Sequence, residues 1–149
     1  MSSRPILHTF LALLLMLSWG LDAAAHKMTV FKTLTCGCCG KWVEHARANG
    51  FQVTVRDVPG TAEYRRRYGV PEALQSCHTA IVEGYTIEGH VPAAEMRRLL
   101  KERPKARGLA VPGMPLGSPG MEAARRDPYS VLLFDAGGRV SVYQKYPGD

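Results

Sequence analysis

Met28-Thr29-Val30-Phe31-Lys32-Thr33-Leu34-Thr35-Cys36-Gly37-Cys38-Cys39-Gly40, running on through Lys41 to Asn49, Gly50 and Phe51-Gln52-Val53-Thr54-Val55, is the stretch that decides the fold. Residues 28–34 alternate as a strand does, Lys41 to Asn49 suits a helix closed by Gly50, and Phe51 to Val55 reads as a second strand. A strand-helix-strand crossover makes its two strands parallel. It also leaves the cysteine turn at the carboxyl end of the first strand, where open α/β sheets place their sites.

Outward from this unit, Pro59-Gly60 breaks the chain and Thr61 caps a predicted helix reaching Tyr68, on which Tyr64 and Tyr68 share a core-packing face. Thr79 to Val82 and Tyr85 to Ile87 read as a hairpin across Glu83-Gly84, and a helix is expected from Pro92 to just before Pro104, with Met96 in its core face. Gly108 to Gly120 carries too many glycines and prolines for a regular element and is read as a loop bearing Met114, with Met121 just beyond. Tyr129 to Phe134 and Val140 to Tyr143 form a last hairpin. The order of elements resembles a thioredoxin-like α/β fold: a central mixed sheet, flanking helices and a Gly/Pro-rich Met loop. In that fold the loop entering the third strand approaches the cysteine turn; here it is Ser76-Cys77-His78-Thr79, so Cys77 and His78 are expected beside Cys36, Cys38 and Cys39.

The amino-terminal segment has Arg4, an apolar run from Phe10 to Leu17 and small residues at Ala23 and Ala25. That is the layout of a signal peptide over residues 1–25, too short to span a membrane. The expected product, 26–149, is one exported domain. The chain carries a net charge of +6. Its bases are dispersed, Arg65-Arg66-Arg67 and Arg97-Arg98 read as solvated helix faces, and nothing has the layout of a nucleic-acid-binding module.

Three cysteines inside four residues, with a fourth downstream, carry the chemistry. A helix amino terminus favours thiolates, which serve either metal capture or disulfide attack. Zinc sites commonly spread their ligands over two separated pairs, whereas crowded thiolates suit Cu(I), which accepts low coordination and bridging sulfurs. Cys36, Cys38, Cys39 and Cys77 are therefore the candidate ligands of a copper site, with one Cu(I) or several. His78 or His90, and a thioether from Met114 or Met121, would complete it. The competing reading is a thiol-disulfide oxidoreductase using Cys36 and Cys39, the ends of a C-x-x-C. Against it stand the extra Cys38, which would scramble the bridge, and Cys77-His78 where a thioredoxin carries its loop proline. His45, about two helical turns past the cysteines, is assigned to packing, and His26 to a frayed terminus.

Four motifs are similar, in order, to the CopG-type periplasmic copper-resistance proteins: Thr35-Cys36-Gly37-Cys38-Cys39-Gly40-Lys41-Trp42, Ser76-Cys77-His78-Thr79, Glu88-Gly89-His90-Val91-Pro92, and Gly108 to Pro115 continuing into Gly117-Ser118-Pro119-Gly120-Met121-Glu122. The resemblance implies a thioredoxin-like fold, periplasmic export and copper held by the four cysteines with help from His78 and His90. It also implies interconversion of Cu(I) and Cu(II) during detoxification, and traffic with other periplasmic copper-handling proteins, as a chaperone would need.

Overall fold

The computed structural model describes residues 25–149. The expected signal peptide, apart from Ala25, lies outside the described residues. Met28 and Val30 point from β1 (His26–Lys32) into one apolar layer, while Phe31 points the other way and stacks on Tyr64, its ring centroid 4.2 Å distant. This alternation places β1 in the middle of a sheet covered on both faces. It pairs parallel with β2 (Phe51–Asp57) and antiparallel with β3 (Thr79–Val82).

The connecting helix α1 (Gly37–Ala48) buries Cys39, Trp42, Val43 and Ala46, a stripe at helical spacing that packs on the sheet. It begins four residues before the predicted Lys41, so Cys38 and Cys39 belong to its first turn. Gly50, at φ +89°, takes the left-handed conformation that ends the helix, and its N–H donates to the Arg47 carbonyl at 3.0 Å. A second helix, α2 (Ala62–Arg67), brings Tyr64 and Tyr68 over Phe31 on the opposite face. The third, α3 (Ala93–Glu102), buries Met96, Leu99 and Leu100 in the same core as Trp42 and stops at Arg103, before Pro104.

The final sheet has seven strands in the order β2-β1-β3-β4-β5-β6-β7, with β4 at Tyr85–Glu88, β5 at Gly108–Ala110, β6 at Tyr129–Phe134 and β7 at Val140–Tyr146. Strand β5 corrects the loop reading of 108–120. Its three residues are too few to show a period, yet they run parallel to β4 and antiparallel to β6, joining the last hairpin to the rest. Gly108 permits this approach: a β-carbon there would lie 1.7 Å from the Thr86 carbonyl oxygen. Among the described residues no helix is long and apolar enough to cross a membrane.

Gly108→Ala should therefore cost at least about 1–3 kcal/mol, because backbone rather than a flexible side chain must yield. Gly40→Ala, in α1 with nothing among the described residues within 4 Å of the new methyl group, should be neutral or stabilising by about 0.5–1 kcal/mol. Urea unfolding of both variants checks the pair, and equal stabilities would contradict the close β4–β5 packing.

Candidate metal centre

Cys36 is the residue before α1 and has extended backbone, φ −78° and ψ 91°, with no side-chain cap. No acidic residue occupies the first turn, so the unpaired N–H groups of the helix end are left to the cysteines. The helical period then sorts them. Cys39 is fully buried at the head of the core stripe, whereas Cys36 and Cys38 remain half-buried. Cys36 and Cys39 form a disulfide, and Cys38 and Cys77 are free thiols.

All four sulfurs nevertheless lie within 4.8 Å of one another. The Cys38 sulfur is 3.6 Å from that of Cys36 and 3.9 Å from the Met114 thioether. The Cys77 sulfur is 3.0 Å from His90 Nε2 and 3.5 Å from His78 Nδ1, and these three residues make a second ligand group sharing Cys77. The Met121 thioether makes no comparable contact among the described residues. Its backbone N–H instead donates to the Ser118 carbonyl at 2.8 Å, tightening the loop. At the opposite end of β1, His26 pairs with Glu83, while His45 accepts a hydrogen bond at 3.0 Å from the N–H of Ala93 at the start of α3.

Hydrogen bonding fixes the state of these groups. The Pro119 carbonyl, 2.8 Å from His90 Nδ1, can only accept, so Nδ1 carries the proton and Nε2 presents a lone pair toward Cys77. His78 is fully buried against Trp42, ring centroids 4.4 Å apart, and its Nε2 has no hydrogen-bond partner among the described residues. Burial, with His90 adding repulsion, pushes it down to about 3, so it too is a neutral donor. The Cys77 thiol is pushed up to about 12 by burial and by Cys38. It holds its proton until a metal displaces it. Sulfur and neutral imidazole make a soft donor set, free of ligating carboxylates, that fits copper or zinc and not calcium or magnesium.

The loop carrying Cys77 is anchored by groups that periodicity did not reveal. Glu88, fully buried at the end of β4, accepts hydrogen bonds from the Ser76 N–H at 2.8 Å and the Thr79 hydroxyl at 2.7 Å. Arg65 donates to the Ser76 carbonyl at 3.1 Å, which corrects its reading as part of a solvated face. The Ser76 hydroxyl donates to the Gly113 carbonyl, beside Met114. Gly120, at φ +87°, packs on α1 so closely that a β-carbon would lie 2.7 Å from the Cys38 carbonyl oxygen. An acid closing a short strand, opposite Thr79, was the available sign of Glu88.

Burial raises Glu88 from 4.5 to about 7, outweighing the bonds it accepts. Between those values the folded state holds the extra proton, so this contribution is complete below 4.5 and is lost as pH rises through 7. His78, lowered from 6.5, has the opposite sign: its contribution is complete above 6.5 and is lost as pH falls toward 3. His45 and His90, lowered mainly by burial, act with His78. In metal-free protein Glu88→Gln should thus make the slope of unfolding free energy against pH more positive by up to about 1.4 kcal/mol per unit between roughly pH 5 and 7. Urea titrations across that range test this, and parallel curves would mean that Glu88 is ionised throughout.

Residues 74–121 match a family described as a protein of unknown function, DUF411. No curated protein matches the chain. Two solved structures do. "Copper resistance protein copG- Form 1" is 45% identical with a TM-score of 0.78, and "Copper resistance protein copG- Form 2" is 44% identical with a TM-score of 0.79. Each alignment covers 82% of this chain and 98% of the other. At this identity over nearly the full length of both relatives, the chain belongs to the CopG family of copper resistance proteins.

Proposed function

We propose that the protein is an exported, periplasmic copper-binding protein that sequesters Cu(I) as cargo among Cys36, Cys38, Cys39 and Cys77. His78, His90 and Met114 serve as auxiliary donors, and Met121 is within the same loop. The observation that carries this reading is the convergence of four sulfurs within 4.8 Å from two segments far apart in the chain. Sulfur clusters of this density favour Cu(I) because its thiolates bridge and its coordination number is low. Membership of a copper-resistance family points to the same cargo, and exchange between Cu(I) and Cu(II) is part of the proposed role. The order β2-β1-β3-β4, with α1 between the first two strands, supports a thioredoxin-like reading of the first half of the sheet.

The Cys36–Cys39 disulfide favours a second reading, thiol-disulfide exchange on protein substrates. The two readings separate by metal. A thiol oxidoreductase reduces a model disulfide without copper, whereas the proposed protein must retain copper against competition. Delivery to a partner would be an extension of the first reading.

Fully reduced protein titrated anaerobically with Cu(I) should hold more than one copper per chain against a weak thiol competitor. Cys38→Ser and Cys77→Ser should each lower the stoichiometry, and weaken the remaining binding by about ten-fold or more. Failure of the reduced parent protein to retain any Cu(I) would end this reading.

A further inference from the structure

The carboxyl end of β1 leads to the sulfurs; its amino end carries a separate group of donors. His26, the first residue of β1, is not frayed. It lies in register with Phe51 of β2, its ring 5.8 Å from that of Phe51, and its Nδ1 pairs with Glu83 Oε1. Sheet geometry delivers Glu83 to this corner: Met28 faces Val82 at the end of β3, so the turn that follows, Glu83-Gly84, abuts the start of β1. Both turn residues have positive φ, 46° and 87°, as in the tight hairpin turns that favour Asn-Gly or Asp-Gly. Glu is poorly suited to that backbone, yet both of its carboxylate oxygens are engaged. Arg103 donates to Oε2 at 2.8 Å, which leaves Oε1 for His26. The His26 and Glu83 side chains are 40% and 38% exposed, open enough for an ion to enter from water. An exposed ion pair of this kind contributes little to stability by itself.

The expected signal cleavage after Ala25 changes what this corner can bind. In the precursor the His26 nitrogen is a peptide nitrogen, whose lone pair is delocalised into the carbonyl. Removal of residues 1–25 makes it a primary amine on the same residue as the imidazole, and amine and Nδ1 can then close a chelate ring on one ion. We infer that the mature amino terminus is a Cu(II) site formed by the His26 amine, His26 Nδ1 and Glu83 Oε1, and that signal removal creates it. The ion replaces the proton between Nδ1 and Oε1. Two nitrogens and a carboxylate oxygen suit Cu(II), which leads the divalent first-row metals in affinity and takes tetragonal N/O surroundings. The sulfur centre lies beyond the other end of β1, a strand roughly 20 Å long, so the two sites bind independently. This inference rests on the exported reading above and adds a harder site remote from the sulfurs, with no electron passing between the two.

The test uses protein isolated from the periplasm, its amino terminus read by mass spectrometry. Cys38→Ser and Cys77→Ser are introduced together so that, with the Cys36–Cys39 bridge closed, no free thiol reduces or captures added metal. Circular dichroism and urea unfolding check that this background is folded, and parent protein with Cys38 and Cys77 alkylated serves as a second background. One equivalent of CuCl2 should give the electron-paramagnetic resonance spectrum of a tetragonal Cu(II) centre with nitrogen hyperfine splitting. A Gly/Ser extension ahead of His26, which turns the amine back into a peptide nitrogen, should weaken binding roughly a hundred-fold or more, because the chelating partner is lost. His26→Ala should behave as the extension does, and Glu83→Gln should weaken binding about ten-fold.

A mature chain beginning elsewhere than His26, an extended protein that binds Cu(II) as tightly as the mature one, or Glu83→Gln without effect would each overturn the proposal. Direct Cu(I) titration keeps the two readings apart. With all four cysteines reduced, His26→Ala should hold as much Cu(I) as the parent protein, and a loss there sinks the independence of the two sites. Cu(I) retained by neither sinks the sulfur-cargo reading, while the Cu(II) comparison still decides the amino-terminal site.

Discussion

Antiparallel pairing of β1 with β3 is the constraint on which the centre depends. Phe31, one residue before the end of β1, faces Thr79, the first residue of β3. The chain leaving β1 toward the cysteine turn and the chain arriving at β3 through Cys77-His78 are therefore neighbours by sheet geometry. Strand spacing of roughly 4.8 Å then sets the scale on which their side chains meet. Slipping the register by one residue would turn Thr79 and its neighbours to the other face. The bonds from Ser76 and Thr79 to Glu88, and from Arg65 to Ser76, oppose such a slip at the loop itself.

That anchoring sets the charge state of the site as well. A carboxyl group, a guanidinium and two imidazoles are packed behind and beside Cys77, and burial drives both histidines toward neutrality. In the metal-free state the pocket presents lone pairs and an uncharged Cys77 thiol. A cation entering it meets donors without ionic competitors, and the proton it displaces from Cys77 makes binding tighter as pH rises. His90 is the most constrained donor, since Pro119 fixes its tautomer and the Gly120 contact with α1 holds that loop in place.

The cysteine turn, the β1-α1-β2 crossover and the approach of Cys77 and His78 to it could all be read from the chain, because each follows from local pattern plus a topological rule. The start of α1 at Gly37 was harder, since two glycines among four residues weaken the helix signal; it is core burial of Cys39 and Trp42 that carries the helix back to the turn. Strand β5 was hidden among glycines and prolines, and depends on a backbone approach that no periodicity records. Arg65 was misread because its burial arises from a loop eleven residues on. Glu88 drew no separate reading from the sequence, and only the tertiary placement of Ser76 shows its task.

Helical geometry also decides how four equivalent side chains become two unequal pairs. A step of three residues brings Cys36 and Cys39 to one side of the helix start, and the hundred-degree turn between neighbours swings Cys38 away toward Met114. Were the motif a plain C-x-x-C, closing its bridge would leave Cys77 as the sole cysteine ligand. The inserted Cys38 prevents this: in the bridged state the pocket still has two thiols, a thioether and two imidazoles in reach. A closed Cys36–Cys39 bridge and a soft donor set therefore coexist in one small site, because the residue that seems superfluous to disulfide chemistry is the one that leaves a second free thiol near Cys77.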